Sequence, residues 1–123
     1  MQNIACYFEI PVVDMDRAMK FYSAVFQCGF SKDTIHGCEM AYFPFDESKA
    51  GITGALAKGE VYVPSQTGTL IYLRVDSIDN TLERVVDQGS EILFAKSAAG
   101  SFGQVAEFRD CEGNRIGIFE PKS

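Results

Sequence analysis

A chain of 123 residues with 46% hydrophobic and 23% charged side chains is the size and composition of one ordinary domain, large enough to bury a core without staples. No stretch approaches the roughly 18 consecutive apolar residues of a membrane span. Eleven Lys and Arg against 17 Asp and Glu leave a net charge of -6, and the basic residues are scattered, so neither nucleic acid nor a membrane is an expected partner.

The first element is read in "ACYFEIPV", residues 5 to 12, where Cys6, Phe8, Ile10 and Val12 alternate with Ala5, Tyr7, Glu9 and Pro11. That period of two predicts a strand with one buried face and one face carrying Tyr7 and Glu9. After Val13 the period becomes helical. Met15, Ala18, Met19, Tyr22, Val25 and Phe26 share one face, Asp14 is placed to cap the first turn, and Gly29 is the expected left-handed exit. Strands are predicted near residues 30 to 36, 38 to 44 and 51 to 57, broken by Gly37 and by the polar loop DESKAG. The stretch KGEVYVPSQTG then has linker chemistry.

Beyond it the same signals start again. Ile71, Leu73 and Val75 alternate, and Ile78, Leu82, Val85 and Val86 follow at helical spacing behind the capping residue Ser77. Val12 aligns with Val75, Met15 with Ile78, Asp16 with Asp79 and Met19 with Leu82, while Gly29 and Gly89 both close their helices. Strands are predicted near 91 to 96, 103 to 109 and 115 to 120, with DCEGN as the last hairpin turn. The fold class is therefore α+β, one domain of two tandem βαβββ modules. Module one spans about 1–58, the linker about 59–68 and module two about 69–123. Each helix can cover one face of its own sheet, which leaves the other faces to curve around a cavity with the helices outside.

Cys6, Cys28, Cys38 and Cys111 show no close spacing, so free thiols are expected and a zinc site of paired cysteines is not. The opening MQNIACYF runs into the first strand pattern rather than a basic, then apolar leader, and a cytoplasmic location is the expectation.

Three segments, "IPVVDMDRAMKFYSAVFQCGF", "LRVDSIDNTLERVVDQGSEIL" and "EFRDCEGNRIGIFE", resemble the glyoxalase, bleomycin-resistance and extradiol-dioxygenase superfamily, the vicinal oxygen chelate fold. The resemblance covers essentially the whole chain. It implies paired βαβββ modules around a ligand cavity, commonly in a homodimer. Metal-using members hold a divalent ion with His, Glu or Gln from the first and last strands of each module. The corresponding positions here carry Tyr7, Leu70 and Gly117, and the last strand of module one, GITGALA, offers no ligand side chain. Leu and Gly cannot coordinate and a Tyr phenolate is rare at neutral pH, so no metal and no other cofactor is expected. The only histidine, His36, lies in another strand pattern, and Asp110 suits turn geometry.

By elimination from the core-facing set, Tyr7, Glu9, Leu70, Tyr72 and Arg74, joined by Gly117 and Phe119 of the last strand, are the candidate ligand-binding residues. Three readings follow. The first is a metal-independent protein binding a small aromatic or hydrophobic, neutral or cationic molecule, with Tyr hydroxyls, Glu9 and Arg74 fixing its polar ends. The second is a lyase- or isomerase-type enzyme in which Glu9 is the catalytic general base and Arg74 or a tyrosine stabilises an oxyanion, with or without a non-standard metal site. The third is a scaffold whose groove is plugged by Tyr7, Tyr72 and Phe119. Glu9 also has a purely structural reading, as a solvated residue or one half of an ion pair with Arg74.

Overall fold

The computed structural model describes residues 2–122. The order is β1 (Tyr7–Pro11), α1 (Met15–Phe26), β2 (Ser31–Ile35), β3 (Cys38–Tyr42) and β4 (Thr53–Lys58), then β5 (Tyr72–Arg74), α2 (Ile78–Asp87), β6 (Ile92–Ala98), β7 (Gly103–Arg109) and β8 (Arg115–Pro121). This is the βαβββ unit written twice. Each module makes its own mixed four-stranded sheet, in the orders β1-β4-β3-β2 and β5-β8-β7-β6. In both, the strand before the helix lies parallel to the last strand of its module, β1 on β4 and β5 on β8, and the remaining pairs are antiparallel. A helical crossover permits that parallel pairing, and short turns serve the rest.

The helices begin as their sequences predict. Asp14 accepts a hydrogen bond from the Arg17 N–H at 3.0 Å, and Ser77 accepts one from the Asn80 N–H at 3.1 Å. Each start is also covered by a carboxylate from module two. Glu112 accepts the N–H groups of Val13 and Asp14, and Glu120 accepts that of Ile78. Negative charge there complements the partial positive charge of a helix N-terminus. The exits differ from expectation at α1, where Gln27, with φ 54°, takes the left-handed position two residues before Gly29. Gly89 does so after α2, with φ 82°.

One continuous apolar cluster joins the modules. It takes Ile10, Val12 and Leu56 from the first sheet, Ile116, Ile118 and Phe108 from the second, and the buried stripes of both helices. Phe21 and Phe26 of α1 lie 6.0 and 6.3 Å from the ring of Phe108 on β7, so the first helix packs on the second module's strand. Arg84 of α2 donates to the Val25 carbonyl at the end of α1. The helix-bearing sides of both sheets thus share this core, and the faces carrying Tyr7 and Tyr72 stay outside it, with those rings 46% and 49% exposed. Cys6, expected in the core, is exposed because it precedes β1 and reaches no neighbouring strand. His36, with φ 51°, stands in the β2–β3 turn beside Gly37 and is exposed. Among the described residues no helix is long and apolar enough to cross a membrane.

Candidate functional site

The outer face of the first sheet is built from small side chains overlaid with tyrosines. Met40, Ala55 and Ala57 are buried beneath Tyr42, Tyr62 and Cys38. Tyr62 belongs to the segment between the modules, and its place there has a local cause. Gly59 lies so close to Cys38 that a Cβ would stand 2.6 Å from the Sγ, and the Tyr62 N–H returns to the Gly59 carbonyl at 3.0 Å. The turn therefore lays the segment back on the sheet and aims Tyr62 at β1.

There it meets Glu9. The Tyr62 hydroxyl donates to Glu9 Oε1 at 2.7 Å and the Tyr7 hydroxyl donates to Oε2 at 3.0 Å. Both phenols are pushed up to about 12, Tyr7 by burial first and the Glu9 carboxylate second, Tyr62 by its hydrogen bond to Glu9 first. They stay protonated donors throughout the neutral range. Glu9 and Arg74 form no ion pair among the described residues, and β1 and β5 lie in different sheets. A cleft of about 400 Å³ runs beside this arrangement, lined by Tyr7, Glu9, Val63, Thr69 and Arg115 among others.

The second group of candidates sits on the outer face of the other sheet. Tyr72 pairs with Gly117 and Arg74 with Phe119 across β5 and β8. A Cβ on Gly117 would stand 2.6 Å from the Tyr72 ring, so the missing side chain is what lets that ring lie on the strand. The Arg74 guanidinium sits 6.0 Å from the centroid of Phe119, and Arg115 sits 5.7 Å from that of Phe94. Arg115 is paired with Glu107. Tyr72 and Arg74 also line a larger cleft of about 590 Å³ between the modules, walled by Phe8, Phe26, Phe43 and Leu73. Leu70 is half-buried just before β5 and lines neither cleft.

The structure thus brings Tyr7 together with Glu9, and Tyr72 and Arg74 together with Gly117 and Phe119, on two sheets. Sequence reasoning missed Tyr62, which lay in a segment read as linker. The alternation of Val61, Tyr62 and Val63 was the available signal.

The metal that this architecture implies does not fit these residues. Tyr7 is occupied as a donor to Glu9, Leu70 and Gly117 have no donor atom, and among the described residues no three His, Cys, Asp or Glu side chains gather as a metal site would require. Asp110 and Asn114 of the last turn serve the scaffold instead. Asp110 is buried and accepts from the Tyr22 hydroxyl at 2.6 Å, from the N–H groups of Glu112 and Asn114, and from Asn114 Nδ2. Asn114 Nδ2 also donates to the Pro11 carbonyl, and its Oδ1 accepts the Ser65 N–H, which fastens the turn to module one and to the linker. Burial, then the charges of Asp110 and Glu112, push the Cys111 thiol up to about 12, so it is no thiolate nucleophile.

Two βαβββ modules, each a mixed four-stranded sheet with one helix, define the glyoxalase-like class of α+β proteins. The family model described as "Glyoxalase/Bleomycin resistance protein/Dioxygenase superfamily" matches residues 5–118, and the chain belongs to that superfamily. It is 32% identical over 114 residues to a "Glyoxylase-like domain-containing protein" of Didymella fabae, covering 89% of this chain and 88% of that one. Among solved structures it is similar to a glyoxylase/bleomycin resistance protein/dioxygenase domain from Frankia sp. EAN1pec, with a TM-score of 0.75, 16% identity, and 99% and 100% of the two chains covered. A fosfomycin resistance protein, FosX, from Listeria monocytogenes is similar too, with a TM-score of 0.71, 15% identity, and 99% and 94% covered. At such identities the structural likeness shows the fold alone.

Proposed function

We propose that this is a metal-independent binding protein for a small aromatic or hydrophobic molecule, neutral or cationic, and that Glu9 with Tyr7 and Tyr62 anchors the ligand's polar end. One observation carries the reading. A carboxylate without a cationic partner among the described residues is held at both oxygens by phenols, beside a cleft of about 400 Å³. Roughly 300–1,000 Å³ is the usual size of a small-molecule site, and a few fixed polar groups on an apolar wall set the ligand's orientation. Aromatic faces next to a carboxylate attract organic cations, and the net charge of -6 favours them at long range.

The enzyme reading, with Glu9 as general base, is less well supported. Both Glu9 oxygens already accept a hydrogen, so the group is better arranged to attract charge than to take up a substrate proton. We also infer a homodimer. Val61, Val63 and Phe94 are exposed apolar side chains on or beside the outer faces, one of which carries Glu9 and the other Arg74, so a second copy has complementary surface to cover. Four free thiols suit the reducing cytoplasm.

The test is calorimetric titration of chelator-treated protein with phenyltrimethylammonium and with benzamide as a neutral aromatic probe. Saturable binding is expected, with the cation favoured and its advantage reduced about tenfold in Glu9→Gln. Absence of saturable binding by either probe contradicts the proposal.

A further inference from the structure

We propose that the larger cleft between the modules binds an apolar monocarboxylic acid, its chain among the aromatic walls and its carboxylate against Arg74. This goes beyond the reading above, since it concerns another cleft, a ligand of opposite charge and none of Tyr7, Glu9 and Tyr62.

The cleft measures about 590 Å³ and draws its walls from both modules, with Phe8, Phe26 and Phe43 on one side and Ile71 and Leu73 on the other. Among the described residues that line it, Arg74 is the one charged side chain, in a chain whose net charge is -6. Arg74 has no carboxylate within ion-pair distance among the described residues, unlike Arg17, Arg109 and Arg115. Its guanidinium sits over Phe119, the residue opposite it on β8. A guanidinium resting on an aromatic ring keeps its fork of N–H donors for a planar, bidentate acceptor, which is the geometry of a carboxylate. Tyr72, two residues earlier on the same face of β5, lines the same cleft. A single cation matches a single negative charge, and the apolar walls require that the rest of the molecule be alkyl or aryl.

The experiment is calorimetric titration of the intact chain with three probes of equal length: octanoate, octanamide and octylammonium. Octanoate is expected to bind about tenfold more tightly than octanamide, with an advantage that shrinks as salt is raised. Arg74→Gln is expected to erase the advantage. Lys32→Gln removes the same unit of charge from the exposed edge strand β2 and is expected to leave it unchanged. Ile52→Asp, at a half-exposed position of the cleft wall, is expected to weaken octanoate about tenfold by placing a like charge beside it. Octanoate binding no tighter than octanamide, or an advantage that survives Arg74→Gln, overturns the proposal. The two proposals fail separately. Preference for octylammonium, insensitive to Arg74→Gln, removes this one and leaves the Glu9 reading. An Arg74-dependent preference for octanoate supports this one whether or not phenyltrimethylammonium binds at Glu9.

Discussion

On the outer side of β1 the charged group is Glu9, held by Tyr7 and Tyr62, whereas on that of β5 the aligned position is Tyr72 and the charge is Arg74, resting on Phe119. The helix-facing sides of the same strands barely differ, with Ile10 and Val12 in one and Leu73 and Val75 in the other. The comparison separates two kinds of constraint. Inward positions must fill one shared core, so both copies keep apolar residues of similar volume. Outward positions meet no such demand, and there β1 and β5 carry opposite charge and different aromatic partners.

The last strand of each module carries a glycine packed against an aromatic residue of the neighbouring parallel strand. Gly54 has the Phe8 carbonyl 2.1 Å and the Phe8 ring 2.6 Å from where a Cβ would stand, and backbone cannot move aside. Gly54→Ala is expected to cost about 3 kcal/mol, the upper range of overpacking, in urea denaturation. Gly117→Ala meets only the half-exposed Tyr72 ring, which has room to swing outward, and about 1 kcal/mol is expected. Equal losses would mean that the two strand pairs are equally free to adjust.

Next in size is Tyr22→Phe. Its hydroxyl ties α1 to the buried Asp110 at 2.6 Å, and both burial and the Asp110 carboxylate hold the phenol well above its ordinary value. Loss of a charge-assisted hydrogen bond is expected to cost about 2 kcal/mol by the same measurement.

Glu112→Gln sharpens the view that module two caps module one's helix. Burial alone would raise the Glu112 carboxyl, but Arg17 and the N–H groups of Asp14 and Val13 prevail and hold it below its ordinary 4.5. A carboxyl whose folded value is depressed contributes stability that is present above the unfolded value and lost as pH falls through the folded one. Wild type is therefore expected to lose stability more steeply than Glu112→Gln below about pH 4.5, and the variant to be about 1 kcal/mol less stable at pH 7. Urea midpoints across pH 3 to 7 check both statements.

The smallest effect on stability, and the most local, is expected from Glu9→Gln. Tyr7 and Tyr62 titrate near 12 partly because Glu9 accepts their hydrogens, so the variant is expected to bring both down toward 10 in ultraviolet absorbance titration. Phenols raised in the folded state stabilise it below about pH 10 and stop doing so as pH rises through about 12. Unchanged tyrosine titration would mean that the clamp does not persist in solution.

The parts of the fold that rest on periodicity were legible beforehand. Both helices begin at Asp14 and Ser77, and the strands fall within a few residues of the predicted ranges, because caps, alternation and turn glycines are local signals. The left-handed exit at Gln27 was not legible, since Gly29 is the residue with intrinsic freedom for it and tertiary packing decided otherwise. The site divided in the same way. The pairing of Tyr7 with Glu9 on one strand face follows from a period of two, and so does that of Tyr72 with Arg74. Tyr62 reaches Glu9 across 53 positions through a turn set by Gly59 and Cys38, and the alternation around Tyr62 signals an extended segment without naming that partner. That two candidate groups stand on separate sheets is likewise a property of how the modules dock through Phe108 and α1.

Ligand binding at the Glu9 face without a metal is followed residue by residue in a nuclear magnetic resonance titration of metal-stripped protein with phenyltrimethylammonium. Saturable shifts are expected, concentrated on Tyr7, Glu9, Tyr62 and their sheet neighbours Ala55 and Ala57, with saturation in Glu9→Gln moved to about tenfold higher probe concentration. Shifts that arise only after a divalent metal is restored, or none at this face at any concentration, would contradict metal-independent binding there.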